Sequence, residues 1–193
     1  MNKNMSIKAA NLLENIRTKA PFVWNFSNFV SMDIAANALL AIGASPAMAH
    51  AKEEANDFSQ ICKAISGALT INIGTFDPYW QECAKEAAKQ ANDNNVPWVL
   101  DPVGTGASQF RNKNVEDLMK LNPTVLRGNG SEIMEVSGIS GVGKGVDSTS
   151  SSNEALDAAN SIAIENKIIV AVTGEIDYVT DGKQTYAISG GHE

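Results

Sequence analysis

The feature that most constrains this chain is an alternation of short apolar runs with longer segments whose apolar residues recur at helical spacing. Phe22–Phe26 and the runs 68–73, 97–100, 124–126 and 168–172 are too short for helices and rich in β-branched or aromatic residues, so they read as buried strands. Helical periodicity appears in Ala9, Leu12, Leu13 and Ile16, then in Met32, Ala35, Ala36, Leu39 and Leu40, and again in Ala55, Phe58, Cys62 and Ile65. It returns in Trp80, Ala84, Ala87 and Ala91, in Val115, Leu118 and Met119, over 129–136, and in Ala155, Ala159 and Ile162. Strands separated by helices need crossover connections. The alternation therefore predicts an α/β fold: a mainly parallel central sheet with helices on both faces. The runs 176–179 and 184–188 flank Asp181-Gly182, a hairpin signal that predicts an antiparallel edge.

Local punctuation agrees with that frame. Pro21 stops the first helix, Gly43 ends the second, and Asp77-Pro78 is a capping side chain followed by proline at the first helical position. Ser151 and Glu154 have the spacing of a capping box. With 193 residues, no linker and no internal repeat, residues 1–193 are expected to form a single domain. The Gly/Ser-rich stretch 138–152 reads as a loop.

Charge and cysteine content exclude several function classes. The net charge of −7 gives no long-range attraction for a phosphate backbone, so nucleic acid is not an expected partner. A small anion can still bind where backbone amides and one or two basic side chains converge. Cys62 and Cys83 fall on helices and read as buried free thiols, while His50 and His192 have no partner at metal-ligand spacing. Residues 1–8 are polar and lack the apolar core of a signal peptide. No apolar run approaches the ~20 residues that span a bilayer. The expectation is a cytoplasmic protein without a membrane partner.

In parallel α/β sheets, ligands bind outside the carboxyl ends of the strands. That gives weight to 25–28, 72–75, 101–106, 127–132 and 173–177. Asp101 follows a strand and precedes Pro102-Val103-Gly104. It is either a turn carboxylate or a holder of Mg²⁺ or its waters. Arg127 sits at a strand end, where its planar fork suits phosphate. Asn129 and Glu132 stand three apart at a helix start. That is the spacing of a capping box, and a helix N-terminus also favours anions, so both readings stay open. Gly138, Gly143 and Lys144 satisfy the first seven positions of a P-loop, but Gly145 replaces the hydroxyl residue and the stretch follows a helix, which excludes it. A dinucleotide-binding oxidoreductase needs a glycine-rich turn after the first strand, and 26–32 has no glycine.

Several segments together, in order over nearly the whole chain, resemble the hydroxyethylthiazole kinase family. They are Ser27-Asn28-Phe29-Val30, Ala36-Asn37-Ala38-Leu39-Leu40-Ala41-Ile42-Gly43-Ala44-Ser45-Pro46-Ala47-Met48 and Asn72-Ile73-Gly74-Thr75. They continue with Leu100-Asp101-Pro102-Val103-Gly104, Arg127-Gly128-Asn129-Gly130-Ser131-Glu132-Ile133, Gly145-Val146-Asp147-Ser148 and Val172-Thr173-Gly174-Glu175-Ile176-Asp177. Asn129 to Glu132 also resembles the N-x-x-E motif of ribokinase-like enzymes.

The resemblance implies a ribokinase-like fold and transfer of the ATP γ-phosphoryl to the alcohol of 4-methyl-5-(2-hydroxyethyl)thiazole, a thiamine salvage step. It implies thiazole contacts from Met48 and Asn28, with Gly74 close by, and ATP phosphate contacts from Arg127 and Thr173. Asp101 and Glu132 would organise Mg²⁺. It also implies a homotrimer with sites between subunits. Trp24 and Ser27 stand where the family often has His and Thr, which alters the expected wall of the thiazole pocket. The family's base follows a stretch like Gly190-Gly191-His192, so it is expected beyond Glu193 and no catalytic base is assigned within the chain. The alternatives are a hydroxymethylpyrimidine or pyridoxal kinase, or a non-catalytic module that binds thiazole or nucleotide.

Overall fold

Local capping signals set many of the element boundaries in the computed structural model, which describes residues 3–139 and 152–189. Helix α4 (Pro78–Asp93) starts where Asp77 Oδ1 accepts from the Trp80 N–H at 2.8 Å. Pro78 suits the first helical position because an N–H there would have no intrahelical partner. Replacing that cap in Asp77→Ala is expected to cost about 1 kcal/mol, seen as a lower urea midpoint with an unchanged m-value. Helix α5 (Gln109–Met119) begins earlier than its apolar residues suggest. Ser108 Oγ caps it by accepting from Arg111 N–H at 3.2 Å.

The chain forms two compact units, 1–98 and 99–193. Unit one carries α1 (Lys3–Lys19), α2 (Met32–Ala41), α3 (Ala55–Ala64) and α4, with strands β1 (Phe22–Phe26), β2 (Ser45–Ala47) and β3 (Ala68–Asn72). The strands run parallel in the order β2-β1-β3. Strand β2 is not announced by any periodicity. It is three residues long and contains Pro46, which an edge position tolerates because the missing N–H breaks no ladder on the open side. A single 3₁₀ turn, Lys52–Glu54, leads into α3.

In unit one, Trp24, Phe26, Leu69, Ile71 and Ile73 are buried. Helix α4 buries Ala84, Ala87, Ala88 and Ala91, a stripe of small side chains at i, i+3, i+4 and i+7. Cys62 and Cys83 are free and buried as expected, and burial pushes the Cys62 thiol above its ordinary pKa.

Unit two carries β4 (Trp98–Asp101) from Val99 onward, then β5 (Val125–Asn129), β6 (Ile169–Thr173), β7 (Ile176–Thr180) and β8 (Thr185–Ser189), with α5, α6 (Gly130–Ile139) and α7 (Ser152–Asn166). The order is β4-β5-β6-β7-β8. β4, β5 and β6 are parallel, whereas β7 and β8 are antiparallel additions. The hairpin turn is fixed by Asp181 Oδ1, which accepts from the Gln184 and Lys183 N–H groups at 2.8 Å each. Those two donors hold the exposed carboxyl below the usual carboxylate range.

Strand β5 departs from the sequence expectation. It does not stop at residue 126 but continues through Arg127 and Gly128 to Asn129, because its backbone stays paired with β6 up to Asn129 opposite Thr173. Most of the expected loop 138–152, the cap at Ser151, the P-loop-like positions Gly143 to Gly145 and the 190–192 stretch lie outside the described residues. Among the described residues, the strands are mainly parallel with an antiparallel hairpin, as the alternation predicts. No described helix is long and apolar enough to cross a membrane.

Candidate active site

Unit one places its three expected substrate residues just past its strands. Asn28 follows β1, Met48 follows β2 and Gly74 follows β3. The three strands are parallel, so all three residues lie toward the same edge of that unit. Asn28 is buried, and its amide orientation is set by its partners. Asn28 Oδ1 accepts from the Val30 and Ser31 N–H groups at 2.9 Å each, at the start of α2. Its Nδ2 donates to Asn72 Oδ1 at 2.7 Å. Asn72 Oδ1 also accepts from the Gly74 N–H at 2.9 Å, and the Phe29 N–H donates to Thr75 Oγ1 at 3.2 Å. The turn after β1 is thus stitched to the turn after β3. Gly74 permits that approach: a Cβ on it would stand 2.7 Å from Asn28 Nδ2.

Met48 is half-buried, in a segment held by Trp24. The Trp24 indole N–H donates to Ala49 O at 3.0 Å, while its ring stacks on Phe58 with centroids 5.7 Å apart. Trp24 is 1% exposed, so it influences the Met48 segment through this bond and not by presenting a surface. Ser27 is likewise buried, its hydroxyl 3.3 Å from that of Ser31. His50 packs against Trp80 at 4.5 Å between ring centroids.

Unit two gathers the charged residues. Asp101 ends β4, and β4 pairs with β5 so that Leu100 faces Leu126. One more step in that register sets Asp101 beside Arg127, whose Nη1 donates to Asp101 Oδ2 at 3.2 Å. The Arg127 side chain is 50% exposed and that of Asp101 18%, so the guanidinium has room to meet a ligand. The loop after Asp101 turns through Gly104 and Gly106 at φ +76° and +92°, a left-handed backbone that glycine adopts without strain.

Glu132 and Asn129 form the capping box in full. Asn129 Oδ1 accepts from the Glu132 N–H at 3.0 Å, and Glu132 Oε2 accepts from the Asn129 N–H at 2.9 Å. Glu132 does more than cap. Its other oxygen, Oε1, accepts from the Gly104 N–H at 3.3 Å, so the carboxylate also ties the start of α6 to the loop after Asp101. Thr173 ends β6 opposite Asn129, and its hydroxyl donates to Gly128 O at 3.3 Å. Arg111 also belongs to this neighbourhood, although strand-end reasoning does not select it. It lies on α5 and donates from Nη1 to Val103 O at 2.9 Å, folding over the same loop.

The profile of the hydroxyethylthiazole kinase family matches residues 13–193. A hydroxyethylthiazole kinase from Rhizobium etli (strain CIAT 652) is 48% identical over 180 residues, which are 93% of this chain and 68% of the relative. One from Brachyspira hyodysenteriae is 47% identical over 182 residues, covering 94% and 67%. The solved hydroxyethylthiazole kinase from Pyrococcus horikoshii OT3 superposes with a TM-score of 0.84 at 40% identity, over 94% of this chain and 66% of that one. The chain therefore spans about two thirds of the length of these relatives. A pyridoxal kinase from Staphylococcus aureus solved with AMP-PCP and pyridoxal superposes at 0.58 with 16% identity over 86% of this chain and 69% of that one, which shows a shared fold alone. The fold is ribokinase-like α/β. By the profile match and by relatives nearly half identical along almost its whole length, the chain belongs to the hydroxyethylthiazole kinase family.

Proposed function

We propose that this protein is a kinase that transfers the ATP γ-phosphoryl to the hydroxyl of 4-methyl-5-(2-hydroxyethyl)thiazole in thiamine salvage, and that residues 1–193 act as one kinase domain. The observation that carries the reading is the charged group at the strand ends of unit two. There Asp101 and Arg127 pair at 3.2 Å, and Glu132 is fixed by two backbone N–H groups. Phosphoryl transfer asks a protein mainly for positioning and charge neutralisation, and this group supplies both. The relatives' name supplies the acceptor, and it favours thiazole over a pyrimidine or pyridoxal alcohol.

Each residue has a role in the proposal. Arg127 exchanges the Asp101 carboxylate for phosphate oxygens of the nucleotide, one anion for another, and its planar fork suits two parallel hydrogen bonds. Thr173, at the end of β6, turns its one hydroxyl proton from Gly128 O to the same phosphates. Asp101 and Glu132 are the residues that would hold Mg²⁺. Their donor set fits, because this ion takes one or two carboxylates and completes its shell with water and phosphate oxygens. Mg²⁺, when bound, neutralises charge on the phosphates. Asn28, Met48 and Gly74 receive the thiazole. No described residue is assigned as the base. A cytoplasmic location belongs to the proposal because ATP is the donor.

The test is ADP release from ATP and Mg²⁺ with and without hydroxyethylthiazole, beside calorimetric binding of each ligand. Thiazole-dependent release is expected when the protein carries a base, and thiazole binding is expected in either case. Absence of both would overturn the assignment.

The proposed assembly is a homotrimer. Helix α2 buries none of its ten residues, with Ile34 and Leu40 71% and 58% exposed, and Val30, in the turn just before it, is 88% exposed. An apolar helix left in water is the mark of an association surface. The variant Val30→Asp is expected to lower the mass measured by size exclusion with light scattering. An unchanged oligomer would place the interface elsewhere.

A further inference from the structure

Two of the three residues proposed to receive the thiazole, Asn28 and Gly74, meet at a residue with no assigned role. Asn72 ends β3, and its side-chain oxygen accepts from Asn28 Nδ2 at 2.7 Å and from the Gly74 N–H at 2.9 Å. A primary amide has two acceptor positions on oxygen and two N–H donors. The Val30 and Ser31 N–H groups take both acceptor positions of Asn28. That leaves only donors, and Asn72 takes one of them. The amide cannot be reversed without facing its NH₂ toward two N–H groups and its oxygen toward another oxygen.

We propose that Asn72 is a positioning residue for the substrate half of the site: its oxygen holds the Asn28 amide so that one N–H faces the ligand, and it holds the Gly74 turn against that amide. This rests on the reading of Asn28 and Gly74 as substrate residues. It deepens that reading by giving Asn28 a polarity. Asn28 recognises an acceptor atom, such as the alcohol oxygen or the thiazole ring nitrogen, and not a donor. The clearance around Gly74 fits the same arrangement, because a Cβ there would stand 3.0 Å from Asn72 Oδ1 as well as 2.7 Å from Asn28 Nδ2.

The test compares the parent chain with Asn72→Leu, Asn72→Asp and Gly74→Ala. The readouts are hydroxyethylthiazole affinity, ADP affinity and the ¹⁵N side-chain amide resonances of Asn28 without ligand. Asn72→Leu removes the acceptor and is expected to weaken thiazole binding by about 5- to 100-fold, the effect of leaving a buried donor unpaired, with ADP affinity unchanged and the Asn28 resonances shifted. Asn72→Asp keeps an oxygen in place and is expected to rescue most of the thiazole affinity. If Asn72→Leu does not fold, Asn72→Ala takes its place with the same split expected between thiazole and ADP, and Gly74→Ala, which displaces the Asn28 amide by contact, is expected to move the Asn28 resonances. The proposal is overturned if Asn72→Leu binds thiazole like the parent, or if thiazole and ADP affinities fall together in the Leu and Asp variants alike. Failure of the parent to bind hydroxyethylthiazole would instead remove the substrate reading. The Asn28 resonances would still decide the rest: moved in Asn72→Leu they uphold the hold of Asn72 on that amide, and unmoved they overturn it.

Discussion

Arg127→Ala is expected to weaken nucleotide binding by about 10- to 100-fold, since charge-assisted hydrogen bonds contribute about 1.5–3 kcal/mol. The protein should remain folded. The Arg127 side chain is half exposed and its partner Asp101 keeps 18% of its side chain exposed, so the pair borders solvent on the arginine side. Such pairs contribute about 0–1 kcal/mol, because water screens the charges and ordering the side chains costs entropy. Two measurements separate the roles: calorimetric titration with ADP or a non-hydrolysable ATP analogue, and urea unfolding of the same samples. The expected pattern is a large loss of affinity with an unfolding midpoint close to that of the parent. Lysine at this position should recover only part of the loss, since a point charge lacks the planar fork. ATP affinity equal to the parent's would remove Arg127 from the phosphate site.

Trp24→Ala is expected to be the most destabilising single change considered, at about 3–5 kcal/mol. The indole is 1% exposed, stacks on Phe58 and donates to Ala49 O, so truncation leaves a void and an unpaired carbonyl at once. Loss of that anchor also frees the Met48 segment, so thiazole affinity should fall. Trp24→Phe separates the two effects. It keeps most of the ring volume and loses the hydrogen bond, so it should cost about 1 kcal/mol and still weaken thiazole binding. Urea unfolding reads the first effect and thiazole titration the second. Parent-like stability of Trp24→Ala would show that the site collapses around the missing ring, and parent-like thiazole affinity of Trp24→Phe would show that the Ala49 bond does not matter for the ligand.

The same residue shows where a sequence reading stops. Trp24 draws notice as a departure from the family pattern, which suggests an altered pocket wall. Its burial makes it a support for the chain that carries Met48. Strand β2 is invisible for a related reason: three residues with a proline have no periodicity to read, and only pairing with β1 makes them a strand. The Asn129–Glu132 pair marks the opposite limit. Its spacing gives a capping box, and the box is there. The reach of Glu132 to the Gly104 N–H, 28 positions away, depends on how the α6 start meets the loop after β4.

By itself the sequence determined what depends on neighbours along the chain: the alternation of strands and helices, the Asp77-Pro78 start of α4, the Asp181-Gly182 hairpin, the buried thiols, and the ordered motifs that resemble one kinase family. Those signals are local because capping, turn geometry and periodicity act over one to four residues. Tertiary structure alone decided which distant side chains meet. Asp101 and Arg127 are 26 positions apart, and Asn28 and Asn72 are 44. Their contacts follow from parallel strand register and the turns beyond it. A shift of one residue in a strand would send each side chain to the opposite face.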